Sequence, residues 1–387
     1  MKDKVIINSN AKDIAKFASL IPARTARFKK APATPLPSTY AVNDTAEKLH
    51  PEVQKMVVKE VRDECADVKT YVLESCENKS LAFFRAGQYV SVSLKIGDSV
   101  LTRPYSLSSS PEEALGGIYT ITVKRAQDGF ASAYILDNWA VGTNVDVSAP
   151  DGTFYYEPLR DAETVVGIAG GSGITPFLSL AKAIADGTEK AKLVLLYGCR
   201  TENDIIFKAE FDKLAETCEN ITVVYVLSDS KAKGYAHGFV DAKLIGKYAP
   251  DKYSVFVCGP SAMYGFVSKE LKKLDLPKKN IRFEMQAIAK PKEAADKEFD
   301  CVVVKRGEKV SIKCSGGEPI LVALERAGIK APSKCRCGEC GYCRSKLVSG
   351  DVLIPEDSDG RRAADKRLGY IHPCCTYPKS DIEIKIF

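Results

Sequence analysis

The chain has 387 residues, 45% hydrophobic and 27% charged, enough for two or three domains of ordinary composition, each with its own core. Its net charge of +6 includes no dense basic block, which argues against nucleic acid as a partner, and no window holds the roughly eighteen apolar residues of a membrane span. The start, MKDKVIINSNAKDIAKF, lacks the apolar stretch of a secretory signal, and the densest group of its thirteen cysteines has metal spacing, so a reducing, cytoplasmic setting is expected.

Residues 1–52 read as an N-terminal extension. Asn10 is placed to cap a helix in which Ile14, Phe17, Ala18 and Ile21 recur at i, i+3, i+4 and i+7. A basic patch (Arg24, Arg27, Lys29, Lys30) follows, then the proline-rich APATPLPSTY, expected to be extended. The amphipathic pattern suits a helix and strap packed on the chain's own first domain, or else an arm that docks on a partner or an anionic surface.

Residues 53–160 change to short alternating segments, VQKMVVKEVR, VKTYVLES, GQYVSVSL, GIYTITVKR and GTNVDVSAP, as in a small antiparallel barrel. Two stretches are too polar for plain barrel. Leu101–Pro111 sets Arg103, Tyr105 and Ser106 on a single strand, the first two on one face. Gly129-Phe-Ala-Ser132 opens a helix running to Leu136, a start suited to a phosphate.

Residues 161–286 alternate apolar runs with helical stretches. ETVVGIAG, KLVLLYGCR, ITVVYVLSD and SVFVCGP read as strands; PFLSLAKAIAD, DIIFKAEFDKLAET and a stretch through KELKKL read as helices. That order predicts a parallel sheet with crossover helices. The first strand runs into Gly167–Pro176, whose glycines and first-turn proline accommodate a pyrophosphate at a helix N-terminus.

Residues 287–297 read as a charged, flexible linker. Residues 298–387 give two strands (FDCVVVKRG, VSIKCSG), a helix from Pro319 to Ala327 ended by Gly328, the cysteine loop and the strand DIEIKIF. A helix laid across a small mixed sheet is expected. In the loop, Cys335, Cys340 and Cys343 give C-x4-C-x2-C, the plant-type [2Fe–2S] spacing, which a distant cysteine completes. The register Cys337, Cys340, Cys343 would begin a bacterial [4Fe–4S] run, but position 347 is leucine where that run needs a further cysteine. Zinc and purely structural thiols are the remaining alternatives; paired C-x2-C knuckles, the usual zinc pattern, are not available once Cys335 is used.

With these motifs placed, residues 53–387 resemble the ferredoxin–NADP reductase superfamily, specifically flavin and NAD(P)H reductases with a C-terminal plant-type ferredoxin domain. The resemblance implies an antiparallel β-barrel flavin domain, an α/β parallel-sheet nucleotide domain and an α+β β-grasp ferredoxin domain. It implies FAD in preference to FMN, a [2Fe–2S] cluster, and NADH or NADPH. In Arg103-Pro104-Tyr105-Ser106, Tyr105 is implied to stack on the isoalloxazine, Ser106 to hydrogen-bond near N5 and Arg103 to face the flavin phosphates. Gly129 and Ser132 match the pyrophosphate element, and Pro150, Gly152 and Phe154 match a bend of the family. Gly170, Gly171, Gly173, Ile174, Thr175 and Pro176 match the nicotinamide motif; Cys258-Gly259-Pro260 matches the element whose cysteine lies near the nicotinamide C4. Cys335, Arg336, Gly338, Cys340 and Cys343 match the cluster motif, and Cys374 is the implied fourth ligand. Cys337 and Cys375 depart from the pattern and read as small, partly buried residues. His50, His237 and His372 read as structural or surface histidines.

A nicotinamide gives up two electrons together and a cluster accepts one at a time; a flavin does both. The implied function is therefore an NAD(P)H-dependent electron-transfer oxidoreductase that passes electrons via FAD and [2Fe–2S] singly to a separate partner: an oxygenase, a hybrid-cluster protein or another metalloenzyme. The alternatives are an electron-transfer subunit of a larger dehydrogenase complex and a redox-sensing binding module. Arg200, Lys231 and Lys233 suit a 2′-phosphate, but Glu202 and Asp229 oppose one, which favours NADH. The last domain carries sixteen Lys and Arg against thirteen Asp and Glu, so a partner with a basic docking face is not favoured.

Overall fold

In the computed structural model of the chain, residues 10–31, 40–77, 80–127, 129–284, 291 and 297–387 are described. Most of the expected strap, APATPLPSTY at 31–40, and most of the 287–297 linker lie outside them. The chain divides into two compact units, Met1–Ala46 and Glu47–Phe387.

The first unit is built on α1 (Ala11–Lys30), capped as expected by Asn10, whose side chain accepts the Asp13 amide at 2.9 Å. A second helix, α2 (Ala41–Leu49), was not foreseen. No residue of α1 is buried, and Ile14, Phe17, Ile21 and Phe28 are all exposed. The basic residues lie inside the helix, which holds six Lys or Arg against one Asp. The excess positive charge of the chain is thus concentrated here and not spread along it.

The second unit opens with β1 (Gln54–Cys65), β2 (Val68–Ser75), β3 (Tyr89–Ile96), β4 (Ser99–Ser106), α3 (Pro111–Leu115), β5 (Ile118–Lys124), α4 (Phe130–Asn138) and β6 (Asn144–Val147). The strands are antiparallel in the order β4-β3-β6-β1-β2-β5, and a bridge between Leu107 and Ile121 joins the ends into a barrel. Its interior holds Met56, Tyr71, Leu73, Tyr119 and Ile121, with Trp139 edge-on to Tyr71 at 5.4 Å. α3 starts on a capping box of Ser110 and Glu113 with Pro111 in its first turn.

The next segment is β7 (Thr164–Gly170), α5 (Thr175–Ala185), β8 (Lys192–Cys199), α6 (Lys208–Thr217), β9 (Ile221–Leu227), β10 (Ala236–His237), α7 (Ala242–Tyr248), β11 (Ser254–Cys258), α8 (Ser261–Leu271) and β12 (Ile281–Phe283). All six strands are parallel, ordered β10-β9-β8-β7-β11-β12. The chain builds outward from β7 to β10, then crosses to the other side of β7. A ligand crevice is expected at such a reversal, beyond the carboxyl ends of β7 and β11. α6 begins four residues later than the DIIF stretch suggests. Thr201 and Asp204 cap a single short turn, and Phe207, at φ +60°, breaks the backbone before the helix starts.

The last segment is β13 (Glu298–Lys305), β14 (Glu308–Ser315), α9 (Ile320–Arg326), β15 (Ser345–Ser349), β16 (Val352–Leu353), α10 (Ala363–Arg367), β17 (Tyr370–Ile371), β18 (Tyr377–Pro378) and β19 (Ile382–Ile386). Five strands form a mixed sheet, β14-β13-β19-β15-β17, in which only β13 and β19 run parallel. Ile320, Ala323 and Leu324 of α9 pack with Cys301, Val303 and Ile384 of the sheet, so the helix lies across it as expected for a β-grasp domain.

Candidate functional site

Tyr105 and Ser106 end β4, both half-buried at the barrel surface. Tyr105 leans on the barrel core, and burial raises its phenol above the usual range. Beside the strand, across the closing bridge and β5, α4 begins at Gly129 with no side chain capping it. The Ser132 hydroxyl accepts the Ala126 amide at 3.1 Å and donates to the Gly129 carbonyl at 3.2 Å, which folds the turn and leaves the helix N-terminus for a ligand. A Cβ on Gly129 would stand 2.5 Å from that hydroxyl, so only glycine fits. A barrel-edge aromatic and hydroxyl beside an uncapped helix start match the demands of a flavin with a pyrophosphate tail. Arg103, implied by the resemblance to face the flavin phosphates, places its Nη1 3.2 Å from Glu325 of α9.

At the β7/β11 reversal the two nucleotide motifs interlock. A Cβ on Gly173 would lie 2.2 Å from the Cys258 carbonyl oxygen, and one on Gly259 would lie 2.3 Å from Met263 Cε. A Cβ on Gly170 would lie 2.7 Å from Met263 Sδ and 3.0 Å from Pro260 Cδ. The Thr175 hydroxyl donates to the Ser172 carbonyl at 2.8 Å, and Gly171 sits at φ +52°. Two tyrosines brace these loops. Tyr197 donates to the Gly171 carbonyl at 3.1 Å, and Tyr264 accepts the Gly259 amide at 3.3 Å. Neither brace is marked by a motif, although the apolar positions of both in a strand and a helix were legible. Burial pushes the Cys258 thiol well above its ordinary range, and nearby Glu284 adds to this, so the thiol stays neutral. These loops provide the close backbone approach that a dinucleotide requires.

In the cysteine loop, the amides of Cys337 and Cys340 both donate to Cys335 Sγ at 3.5 Å, and the Tyr342 amide donates to Cys340 Sγ at 3.4 Å. Cys343 Sγ lies 3.4 Å from Cys374 Sγ, across 31 residues of chain. Hydrogen bonds from the Cys337 and Cys340 thiols, with those amides, hold the Cys335 thiol far below its ordinary pKa; the two donor thiols are raised in return. The thiols form a Cys343–Cys374 pair and a group that joins Cys335 with Cys340 and Cys337. Two separate thiol groups suit a two-iron cluster, which takes two protein ligands on each iron.

Gly338 at φ +85° and Gly341 at φ +69° turn the loop. At Gly338 a Cβ would meet the Ser358 carbonyl oxygen at 2.1 Å and Cys375 Sγ at 2.9 Å. Cys337 and Cys375, expected to be partly buried, are buried; Cys375 donates to the His372 carbonyl at 3.4 Å. His372 is itself buried inside the loop, with Nδ1 at 2.6 Å from the Gly338 carbonyl. Read in the sequence as structural or surface, it braces the cysteine loop.

The cysteine loop abuts β3 and β4. Tyr89 pairs with Ser106 across β3 and β4, and its buried ring packs with Cys335 and Cys337. Lys334 bonds Asp151 at 2.8 Å, and the hydroxyls of Thr102 and Ser333 share a hydrogen bond. Tyr89 is a residue that motif reading missed, because only the fold brings it to the cysteines.

Three family descriptions match the chain: an oxidoreductase FAD-binding domain over residues 55–156, an oxidoreductase NAD-binding domain over 168–269 and a 2Fe-2S iron-sulfur cluster binding domain over 303–379. The glycine betaine monooxygenase reductase subunit of Pseudomonas aeruginosa is 28% identical over 84% of this chain and 93% of its own length. The ferredoxin reductase component of the 3-ketosteroid-9-alpha-monooxygenase of Mycolicibacterium smegmatis is 31% identical over 87% of this chain and 98% of its own. Among solved structures, phthalate dioxygenase reductase superposes with a TM-score of 0.66 at 24% identity, over 86% of this chain and 97% of that one.

Proposed function

This chain belongs to the ferredoxin–NADP reductase superfamily, among the reductases with a C-terminal [2Fe–2S] domain, and from that premise we propose which residues carry its electron transfer and to what partner. It is an NAD(P)H-dependent flavin iron–sulfur oxidoreductase that delivers electrons to a separate partner. The bound groups supply two-electron uptake from a reduced nicotinamide and one-electron delivery through iron–sulfur.

Tyr105 and Ser106 hold the flavin ring, and Gly129 and Ser132 shape the helix start that takes its pyrophosphate. Gly170, Gly171, Gly173 and Thr175, with Cys258, Gly259 and Pro260, seat the nicotinamide dinucleotide; the neutral Cys258 thiol offers a small, uncharged wall. Cys335, Cys340, Cys343 and Cys374 hold the cluster. Cys374 is preferred to Cys375 because its sulfur is the one beside Cys343. The observation that carries this reading is the contact of Tyr89 with both the Ser106 strand and the Cys335 loop, which brings two cofactor sites together in one body. The partner is an oxygenase component, as the names of the two relatives suggest for those proteins. We place the protein in the cytoplasm, where its free thiols would stay reduced; among the described residues no helix is long and apolar enough to cross a membrane.

The deciding experiment is Cys340→Ser. NADH should still bleach the flavin at the wild-type rate, while electron delivery to an oxygenase component or another one-electron acceptor is abolished. Loss of flavin reduction with FAD still bound would refute the assignment. For the nucleotide we propose NADH. Arg200, the cation nearest the end of β8, is neutralised by Asp229 at 3.1 Å. Stopped-flow reduction should favour NADH over NADPH by about tenfold, ~1.4 kcal/mol; equal rates would sink this preference.

A further inference from the structure

We infer that Glu325 is a positioning residue that locks the cluster loop in register with the flavin strand, and thereby sets how fast electrons cross between the two sites. The inference rests on the cofactor sites proposed above. Glu325 lies on α9 in the ferredoxin domain, and only 5% of it is exposed. Its carboxylate receives three donors from two directions. From the flavin strand come Arg103 Nη1, at 3.2 and 3.4 Å from the two oxygens, and the Thr102 amide at 3.3 Å. From the cluster loop comes Arg336 Nη1 at 2.5 Å.

The two arginines occupy telling positions. Arg103 stands two residues before Tyr105 on the flavin strand, and Arg336 stands between the loop's first two thiols. Two guanidinium groups therefore face each other in a buried setting with a single carboxylate between them. Burial and the charge of Arg336 lower the pKa of Arg103, as expected of cations pressed together. Without the carboxylate the two would repel, and the loop would be pushed away from β4. A buried ion triad of this kind adds little net stability, because desolvation offsets the attraction; what it fixes is one arrangement out of several. Electron tunnelling falls off exponentially with separation, so a small change in that arrangement has a large effect on rate. Other contacts of the interface, Lys334 with Asp151, Thr102 with Ser333 and Tyr89 with Cys335 and Cys337, do not involve the carboxylate and keep the domains docked without it.

The test is Glu325→Gln, nearly isosteric and uncharged, in the full-length holoenzyme, with Glu325→Asp as the variant that keeps the charge. Stopped-flow should show reduction of the flavin by NADH at the wild-type rate and cluster reduction slowed by about tenfold or more. Glu325→Asp should recover most of that loss. Amide exchange at Thr102 and over residues 335–343 should quicken in Glu325→Gln. Unchanged cluster reduction overturns the proposal even if exchange quickens, since the clamp would then be structural only. Slowed reduction without faster exchange overturns it too, since Glu325 would then act through its field and not by holding the loop. A failure of the underlying assignment shows up differently, as a wild-type protein with no NADH-reducible flavin or no cluster spectrum. In that event the exchange at Thr102 still decides whether Glu325 holds the loop.

Discussion

At the scale of single residues, the cysteine loop shows what spacing can and cannot convey. Four thiols within nine residues identified an iron–sulfur motif, because the ligands are local and their intervals are fixed by the cluster. The choice between Cys374 and Cys375 could not be read that way. It depends on which sulfur turns toward Cys343, and the turn at Pro373–Cys375 puts Cys374 Sγ 3.4 Å from Cys343 Sγ. Cys374→Ser is therefore expected to abolish the visible absorption and EPR signal of the cluster, whereas Cys375→Ser should retain both; the reverse result would reassign the ligand. Gly173 makes a similar demand. A methyl group there would drive into the Cys258 carbonyl, so Gly173→Ala should raise KM for NADH by about tenfold or more, ~1.4 kcal/mol, with FAD content unchanged. Tyr89, His372 and Glu325 carried no signal in the sequence. Each acts on a residue that is distant along the chain or in another domain, and no local pattern encodes such a contact.

At the scale of elements, the barrel strands and the parallel-sheet strands were legible because burial on one face or both writes a period of two or a continuous apolar run. The short elements β10, α7 and β12 were not, since two to seven residues leave too little period to detect. The start of α6 was misread because DIIF is apolar and helix-like, yet its isoleucines and Phe207 are spent on burial in a left-handed corner. α1 was legible as a helix but not in its setting. Its described residues are all exposed, so deleting residues 1–46 should leave flavin and cluster loading intact and the melting temperature within a few degrees. A large loss of FAD on deletion would show that the extension supports the reductase body.

In the ferredoxin domain, the Asp359 carboxylate is held far below its ordinary pKa by Arg361, with Lys366 a second cation at 2.9 Å. A depressed folded-state value means that the stabilisation is complete above the unfolded Asp value of about 3.9 and is lost as pH falls through the folded one. Asp359→Asn should thus lower the melting temperature at pH 7, and the gap from wild type should close in strong acid. A gap that widened as pH fell would contradict the ion pairing.

At the scale of the whole molecule, three domains with different sheet logic share one body from Glu47 to Phe387. The motif order along the chain conveyed the order of the cofactors, and the matched families agree with it. What the motifs could not convey was how the last domain returns to the first. That return is made by β4 and α9, more than two hundred residues apart, through a carboxylate and two arginines.

Arg336 has a further consequence for how this interface can change by mutation. Its backbone sits at φ +57°, where a side chain costs about 1–2 kcal/mol. Glycine would remove that strain but also the cation, so Arg336→Gly should lower the melting temperature while Glu325 is present and raise it, or leave it unchanged, once Glu325 is glutamine. A double-mutant cycle should give an interaction of about 1–3 kcal/mol between the two positions. The same substitution is then harmful or harmless according to which residue changed first, so a lineage that loses the acid opens a route to glycine that is closed while the acid remains.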